Sequence, residues 1–323
     1  MVSMKTIADK LNISRTTVSR ILNNKMDSHK YKKETIELVR KTAEELGYTS
    51  NLVAKSLKLG STKILSFLVP DIAHPTYISI LKAIEKLASE AGYSLLICAT
   101  EEDTEKEKRI LKMLQSRMVD SVIIAPVSYY ESLDDQYSYP LICIDRKTKN
   151  AKYPAVLFNN EKAAYNATIA MLEKNVKRPL FIAGNPVDYS VMQRLEGFKR
   201  ALQEYSLTYT EDRIVFGVFN WQTAKNKINE LIKMNIGFDS IFFATNYFLG
   251  GVVEALEEKG ITIDIHAGID YFDDMMFLKP QILTYVQPEN KMAQTALELL
   301  LEKIKKPERV YSDIIFDGTI IQN

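Results

Sequence analysis

The chain has 323 residues, 46% hydrophobic and 26% charged, with a formal net charge of +1 at neutral pH. That is the composition of an ordinary soluble protein of two or three domains, at roughly 100–200 residues per domain. No apolar run reaches the roughly 18 residues of a membrane helix. The N-terminus MVSMKTIADK lacks a secretory apolar region, so a cytoplasmic location is expected. The charge is unevenly placed: residues 1–61 hold twelve Lys and Arg against six Asp and Glu, an excess of six, and the remaining 30 and 35 leave a deficit of five. A small basic head on a mildly acidic body points to a polyanion as the partner of the head.

In chain order, KTIADKLN places Ile7, Ala8 and Leu11 at helical spacing, and ISRTTVSRILNN repeats the pattern with Val18, Ile21 and Leu22. Ser14 stands where an N-cap is wanted. KKETIELVRKTAEELGY sets Ile36, Val39, Ala43 and Leu46 on one stripe and ends at Gly47. Three short helices with a tight turn between the first two predict a helix-turn-helix. Its second helix would enter a DNA major groove with Arg15 and Thr16 at the leading end and Arg20 one turn further. Arginine suits guanine O6 and N7, whereas Thr17, Ser19 and Asn23 suit phosphate. The stretch LVAKSLKLGSTK, residues 52–63, has helical apolar spacing but is too short to be a stable isolated helix.

After residue 62, strands and helices alternate. KILSFLVPD, SLLICAT, DSVIIAPV, PLICIDR, AVLFNN, RPLFIAG, SIFFATN and IHAGIDY read as buried strands, with ISILKAIEKLASEAGY and KEKRILKMLQSR as helices. Cys98 and Cys143 lie in two of these runs, as expected of reduced, buried thiols. Such alternation implies parallel sheets covered on both faces. About 260 residues exceed one comfortable sheet, so two lobes are expected. Ligands of such sheets bind beyond the carboxyl ends of the strands. Polar residues end several of the runs: Asp71, Asp145 with Arg146, Asn159 with Asn160, Asn246 and Asp270. Singly, each could be a cap or turn residue; together they suit a hydroxyl-rich ligand.

IADKLNISRTTVSRILNN and ETIELVRKTAEELGYTSNLVAKSLKLGSTK resemble the head and hinge of the LacI/GalR family of sugar-responsive transcription factors, and the similarity runs through essentially the whole chain. Asn12 replaces the usual Gly of the turn and Ser50 a frequent Pro. The resemblance implies an α/β protein: an N-terminal helix-turn-helix DNA-binding head plus a hinge helix, then a two-lobed periplasmic-binding-protein-like body of parallel sheets flanked by helices. The expected boundaries are 1–48 for the head, 49–61 for the hinge and 62–323 for the body. Lobe 1 takes about 62–159 plus 289–323, and lobe 2 about 160–288. In the hinge, Leu57 is the expected minor-groove wedge and Ala54 lets two copies approach. Lys55, Lys58 and Asn51 are further expected DNA contacts, joining Ser14 in the head.

For the ligand, the resemblance implies Asp71, His74 and Tyr77 in PDIAHPTY, with Thr76 departing from a common aromatic. Arg194 in RLEGFKRAL is the expected effector-holding arginine, and Phe219, or nearby Trp221, an aromatic wall. Asn246 and Asp270 match, while Asn159 and Tyr247 each replace an Asp. Asp145, Arg146, Ser190 and Gln287 complete the expected set. The loop NNKMDSHKYKKET is three residues longer than the usual family spacing and resembles the fructose-responsive subgroup, so a fructose-type sugar or sugar phosphate is the favoured effector. An enzyme is not expected: the glycines form no GxGxxG or GxxxxGK, no GxSxG elbow is present, and His29, His74 and His266 lack metal-ligand spacing. No metal or cofactor is expected. The expected function is a homodimeric regulator, in all a repressor of carbohydrate-utilisation genes, reading a near-palindromic operator. A stand-alone sugar-binding protein of the transport type is the alternative.

Overall fold

The computed structural model describes residues 2–23, 31–48, 60–116, 119–131, 133, 137–149, 153–263, 265–272 and 281–322. The chain divides into two compact units, Met1–Thr62 and Lys63–Asn323.

The first unit holds α1 (Met4–Leu11), α2 (Arg15–Leu22) and α3 (Lys33–Glu45). Ser3 opens α1 with a reciprocal cap to Thr6, and Ser14 opens α2 by accepting from the Thr17 amide at 3.0 Å. Asn12 ends α1 in the left-handed region, φ 51, which is the conformation the family's Gly would supply. Gly47, φ 62, closes α3: its amide reaches the Glu44 carbonyl, and the Tyr48 amide reaches that of Ala43. Ile7, Ala8, Val18, Ile21, Val39 and Ala43 form the buried core, with Leu11, Leu22, Ile36 and Leu46 at its rim. The apolar stripe read from the sequence is therefore the packing seam. The expected hinge contacts Asn51, Ala54, Lys55, Leu57 and Lys58 lie outside the described residues, as do residues 24–30 of the long loop.

The second unit contains two six-stranded sheets. The first has the order β11-β5-β4-β3-β1-β2 and is parallel throughout: β1 (Ile64–Val69), β2 (Ser94–Ala99), β3 (Ser121–Ile124), β4 (Leu141–Ile144), β5 (Ala155–Phe158) and β11 (Ile314–Phe316). The second has the order β12-β10-β9-β8-β6-β7: β6 (Pro179–Ile182), β7 (Ile214–Val215), β8 (Ser240–Phe243), β9 (Ile265–Ile269), β10 (Gln281–Val286) and β12 (Thr319–Gln322). Among the described residues only the β10–β12 pair is antiparallel. Helices α4 (Pro75–Glu90), α5 (Thr104–Leu114) and α10 (Glu289–Lys305) pack with the first sheet; α6 (Asn160–Leu172), α7 (Tyr189–Glu204), α8 (Trp221–Lys233) and α9 (Leu249–Glu257) pack with the second. Strands such as VII in β3 and LICI in β4 are buried at every position, as parallel strands covered on both faces must be.

The chain crosses between lobes after β5, after β10 and after β11. The expected first lobe takes in all of 289–323, but β12 pairs with β10 of the second sheet, Val286 opposite Thr319 through Leu283 opposite Gln322. Only Asp317 and Gly318 separate β11 from β12, so the chain passes from one sheet to the other within two residues. A Cβ on Gly318 would lie 2.1 Å from the Val286 carbonyl oxygen, which leaves room for glycine alone. Among the described residues no helix is long and apolar enough to cross a membrane.

Candidate ligand cleft and nucleic-acid interface

The carboxyl ends of both sheets open into one cleft of about 530 Å³, within the roughly 300–1,000 Å³ of small-molecule sites. Asp71 reaches it from the end of β1, Asp145 and Arg146 from β4, Tyr247 from β8, Asp270 from β9 and Gln287 from β10. His74 and Tyr77 enter from the start of α4, Ser190 and Arg194 from α7, and Phe219 from the loop before α8. Eleven of the fourteen residues expected from the sequence thus share one cavity.

Three do not line it. Asn159 caps α6 and donates to Asp317 Oδ1 at 2.9 Å, tying together two of the inter-lobe crossings. Asn246 is buried beneath the cleft, donating to the Asp270 carbonyl at 2.7 Å and to Thr284 Oγ1 at 3.3 Å, so it supports Asp270 from behind. Trp221 opens α8 and lies over Gly250, where a Cβ would come within 2.0 Å of its ring, and its Nε1 donates to Glu254. Of the two candidate aromatics, Phe219 lines the cleft and Trp221 does not.

The cleft's arginines are already engaged. Arg146 forks onto Glu102 at 3.1 and 3.2 Å and reaches Asp188 Oδ2 at 2.8 Å, bridging the first lobe to the second. Arg194 donates through Nε to Asn160 Oδ1 at 2.7 Å and through Nη1 to the Ala244 carbonyl, with Asp270 Oδ2 at 3.9 Å. Asp188 caps α7, accepting from the Ser190 amide and hydroxyl at 2.8 Å each. Burial pushes His74 down to about 4 and so keeps it neutral; its ring faces Tyr77, Tyr247 and Phe272, and its Nε2 lies 3.4 Å from Thr245 Oγ1.

Asp145 and Asp270 follow their strands with φ of 63° and 73°. Asp145 accepts from Tyr77 Oη at 2.9 Å and Asp270 from Gln287 Nε2 at 2.5 Å. Burial lifts Asp145 to about 6, against the pull of Arg146 and Arg194. Its Oδ1 and the Gln287 Oε1 are buried without a hydrogen-bond partner.

Glu101, Glu102, Asn185, Asp188 and Thr245 also line the cleft and were not among the residues read from the sequence. The rule that found the others would have found most of them. It was applied to the ends of β1, β4, β5, β8 and β9, but not to SLLICAT before Glu101 or to LFIAG before Asn185.

On the helix-turn-helix unit, Arg15, Thr16 and Arg20 are exposed along α2, and among the described residues neither arginine forms an ion pair. Three other expected contacts are committed locally. The Ser14 hydroxyl lies 2.9 Å from that of Thr17, and Asn23 Nδ2 donates to the Ser19 carbonyl at 2.7 Å. What remains outward on this short, capped helix is Arg15, Thr16 and Arg20.

Residues 62–316 match the family described as periplasmic binding proteins and sugar binding domain of LacI family, and residues 3–51 match bacterial regulatory proteins, lacI family. The chain belongs to the LacI family. It is 28% identical over 312 residues to the HTH-type transcriptional repressor PurR of Vibrio atlanticus, covering 94% of this chain and 92% of that one. It is 26% identical to the ribose operon repressor of Haemophilus influenzae, covering 99% and 97%. In fold it resembles a LacI-family transcriptional regulator from Silicibacter pomeroyi, with a TM-score of 0.81 at 20% identity over 99% and 98% of the two chains. As a LacI-family member, the protein is a sequence-specific DNA-binding transcriptional regulator.

Proposed function

We propose that this regulator acts as a cytoplasmic homodimeric repressor of carbohydrate-utilisation genes, without enzymatic activity, and that its cleft takes an uncharged or cationic, hydroxyl-rich sugar rather than a sugar phosphate. Two heads would read the half-sites of a near-palindromic operator, because protein symmetry imposes operator symmetry. A ligand that favours one arrangement of the two lobes would change the DNA affinity of the heads, by the 1 to 3 kcal/mol typical of such coupling.

One observation carries the ligand reading. Among the described residues, Asp71, Glu101, Glu102, Asp145, Asp188 and Asp270 line the cleft against Arg146 and Arg194, and both arginines already have protein partners. A phosphate would enter a field of like charge with no uncommitted guanidinium fork to receive it. The fructose-type subgroup rests on the length of a loop that lies partly outside the described residues, and the relatives named above are PurR and a ribose operon repressor. Within that subgroup the cleft supports an unphosphorylated ligand. The expected contact roles of Ser14, Arg15, Thr16, Thr17, Ser19, Arg20 and Asn23 in the head, and of the hinge residues through Leu57, belong to the same proposal.

The test is an operator selection followed by gel shift with the full-length chain. Arg20→Ala is expected to weaken specific binding by about 1 to 3 kcal/mol at its base pair. Leu57→Ala is expected to reduce DNA bending. Absence of any sequence-preferring complex would falsify the regulator reading, and tight saturable binding of a sugar phosphate would overturn the ligand class.

A further inference from the structure

Among the described residues, the cleft carries more carboxylates than cations, and two of its buried acceptors are unpartnered. Asp145 is 5% exposed and Gln287 3% exposed, and each keeps one oxygen, Oδ1 and Oε1, without a hydrogen-bond partner. Asp270 Oδ2 lies 3.9 Å from the Arg194 guanidinium, beyond hydrogen-bonding reach. On the donor side, both terminal nitrogens of Arg146 are held by Glu102 and Asp188 while its buried Nε has no hydrogen-bond partner, and Arg194 is held by Asn160 and the Ala244 carbonyl. A hydroxyl brings an acceptor with every donor it offers, whereas an ammonium offers three donors and no acceptor. An ammonium also offsets the carboxylate excess, which a neutral hydroxyl leaves uncompensated. Phe219, 45% exposed, and the Tyr247 ring supply apolar walls suited to the face of a ring rather than to a flexible chain.

From this we infer that the effector is an amino sugar, a hydroxylated ring carrying a protonated amine that is received by Asp145 and Asp270 from the two opposed sheets. The inference rests on the reading of the cleft as an effector site and narrows its ligand class. Burial lifts Asp145 only to about 6, so its carboxylate remains ionised at neutral pH and available to the cation.

The experiment is isothermal titration of the full-length chain at pH 7.5 with matched sets. These are fructose, 1-amino-1-deoxyfructose and fructose 1-phosphate; glucose, glucosamine and glucose 6-phosphate; and the same three forms of galactose and mannose. Putrescine is included as an acyclic amine. In at least one set the amine is expected to bind about tenfold or more tightly than its neutral parent, and the phosphate not to bind. Asp145→Asn, or Asp270→Asn should the first variant not fold, is expected to bring the amine-to-neutral ratio close to one. The inference is overturned by a neutral parent or phosphate that binds as tightly as the amine, by putrescine binding more tightly than every amino sugar, by an unchanged ratio in the folded variant, or by a panel in which nothing binds. Gel shift on the selected operator separates the two readings. An intact operator complex without an amine preference removes only this inference, whereas loss of DNA binding removes the regulator reading and leaves the titration result standing.

Discussion

Asp145 and Asp270 hold the same place in two different sheets. Each follows the third strand in its order, β11-β5-β4 and β12-β10-β9, and each has a left-handed backbone, φ 63° and 73°. Asp tolerates that region better than most residues. The turn brings both carboxylates back over the strand ends, one from each wall of the cleft, and each meets a neutral donor, Tyr77 or Gln287. The pair fits the proposed ligand role.

Asp145→Asn should therefore raise stability while weakening the effector response. The amide keeps an oxygen for Tyr77, tolerates the positive φ and removes a buried ionised group. A gain on the order of 1 to 3 kcal/mol at pH 8 is expected in urea unfolding. A loss of stability would mean that the carboxylate serves the fold.

Glu107, in the first turn of α5, is a second buried carboxylate, outside the cleft. It accepts from the Val127 amide at 2.9 Å, and burial pushes it up to about 7 against that bond, with Arg146 pulling down and Glu102 and Glu131 pushing up. A raised carboxylate binds its proton more tightly in the folded state. The penalty is thus absent at low pH, grows as pH rises from the unfolded value near 4.5 to about 7, and is level above that. Glu107→Gln should stabilise the protein by about 2 to 3 kcal/mol at pH 8 and by little at pH 4.5. Parallel melting curves of the two proteins at every pH would contradict this.

Arg194→Ala removes more than a ligand contact. Arg194 is 5% exposed, and its loss strips donors from Asn160 Oδ1 and the Ala244 carbonyl and leaves Asp270 with less compensating charge. We expect the effector response to vanish and the urea midpoint to fall by the equivalent of about 3 kcal/mol. A midpoint equal to that of the parent would show that Arg194 is dispensable to the fold.

Gly268→Ala tests Asn246 without touching a cleft residue. A Cβ there would lie 2.1 Å from Asn246 Oδ1, so the amide must move and release the Asp270 carbonyl. Effector affinity should drop at least tenfold. Asn246→Ala in the same background should add little, since neighbours sharing one bond are not additive. Independent, additive losses would place Asn246 outside the support of Asp270.

Much of this was legible in the sequence because it is local. Apolar runs bounded by turn residues gave β1 to β6, β8 and β9, Ser14 announced a cap, and Asn12 could substitute for glycine because its conformation is set by one residue. β7, β10, β11 and β12 were not among the strands read from the sequence: β7 has two residues and β11 three, and only their neighbours in the sheet make them strands, while β12 is largely exposed. The cleft was partly legible for the same reason. Polar residues at strand ends mark a rim, but whether one faces the cleft or a crossing depends on distant partners. Asn159 turns to Asp317, 158 residues away. Trp221 turns to Gly250, and nothing in FGVFNWQTA distinguishes it from Phe219 as the aromatic wall.

The triple crossing between lobes bears on synthesis. The second lobe is nearly one continuous segment and can be assembled as it is made. The first lobe cannot. Its edge strand β11 pairs Ile314 with Val156, and α10 packs on α4, so both wait for nearly the last residues. Until then the apolar faces of α4 and of β3 to β5 stand uncovered on a ribosome-bound chain. Long-range closure of this kind is slow and exposed to aggregation. Chain termination before residue 289 should therefore release an insoluble product, even though most of both sheets has by then been made.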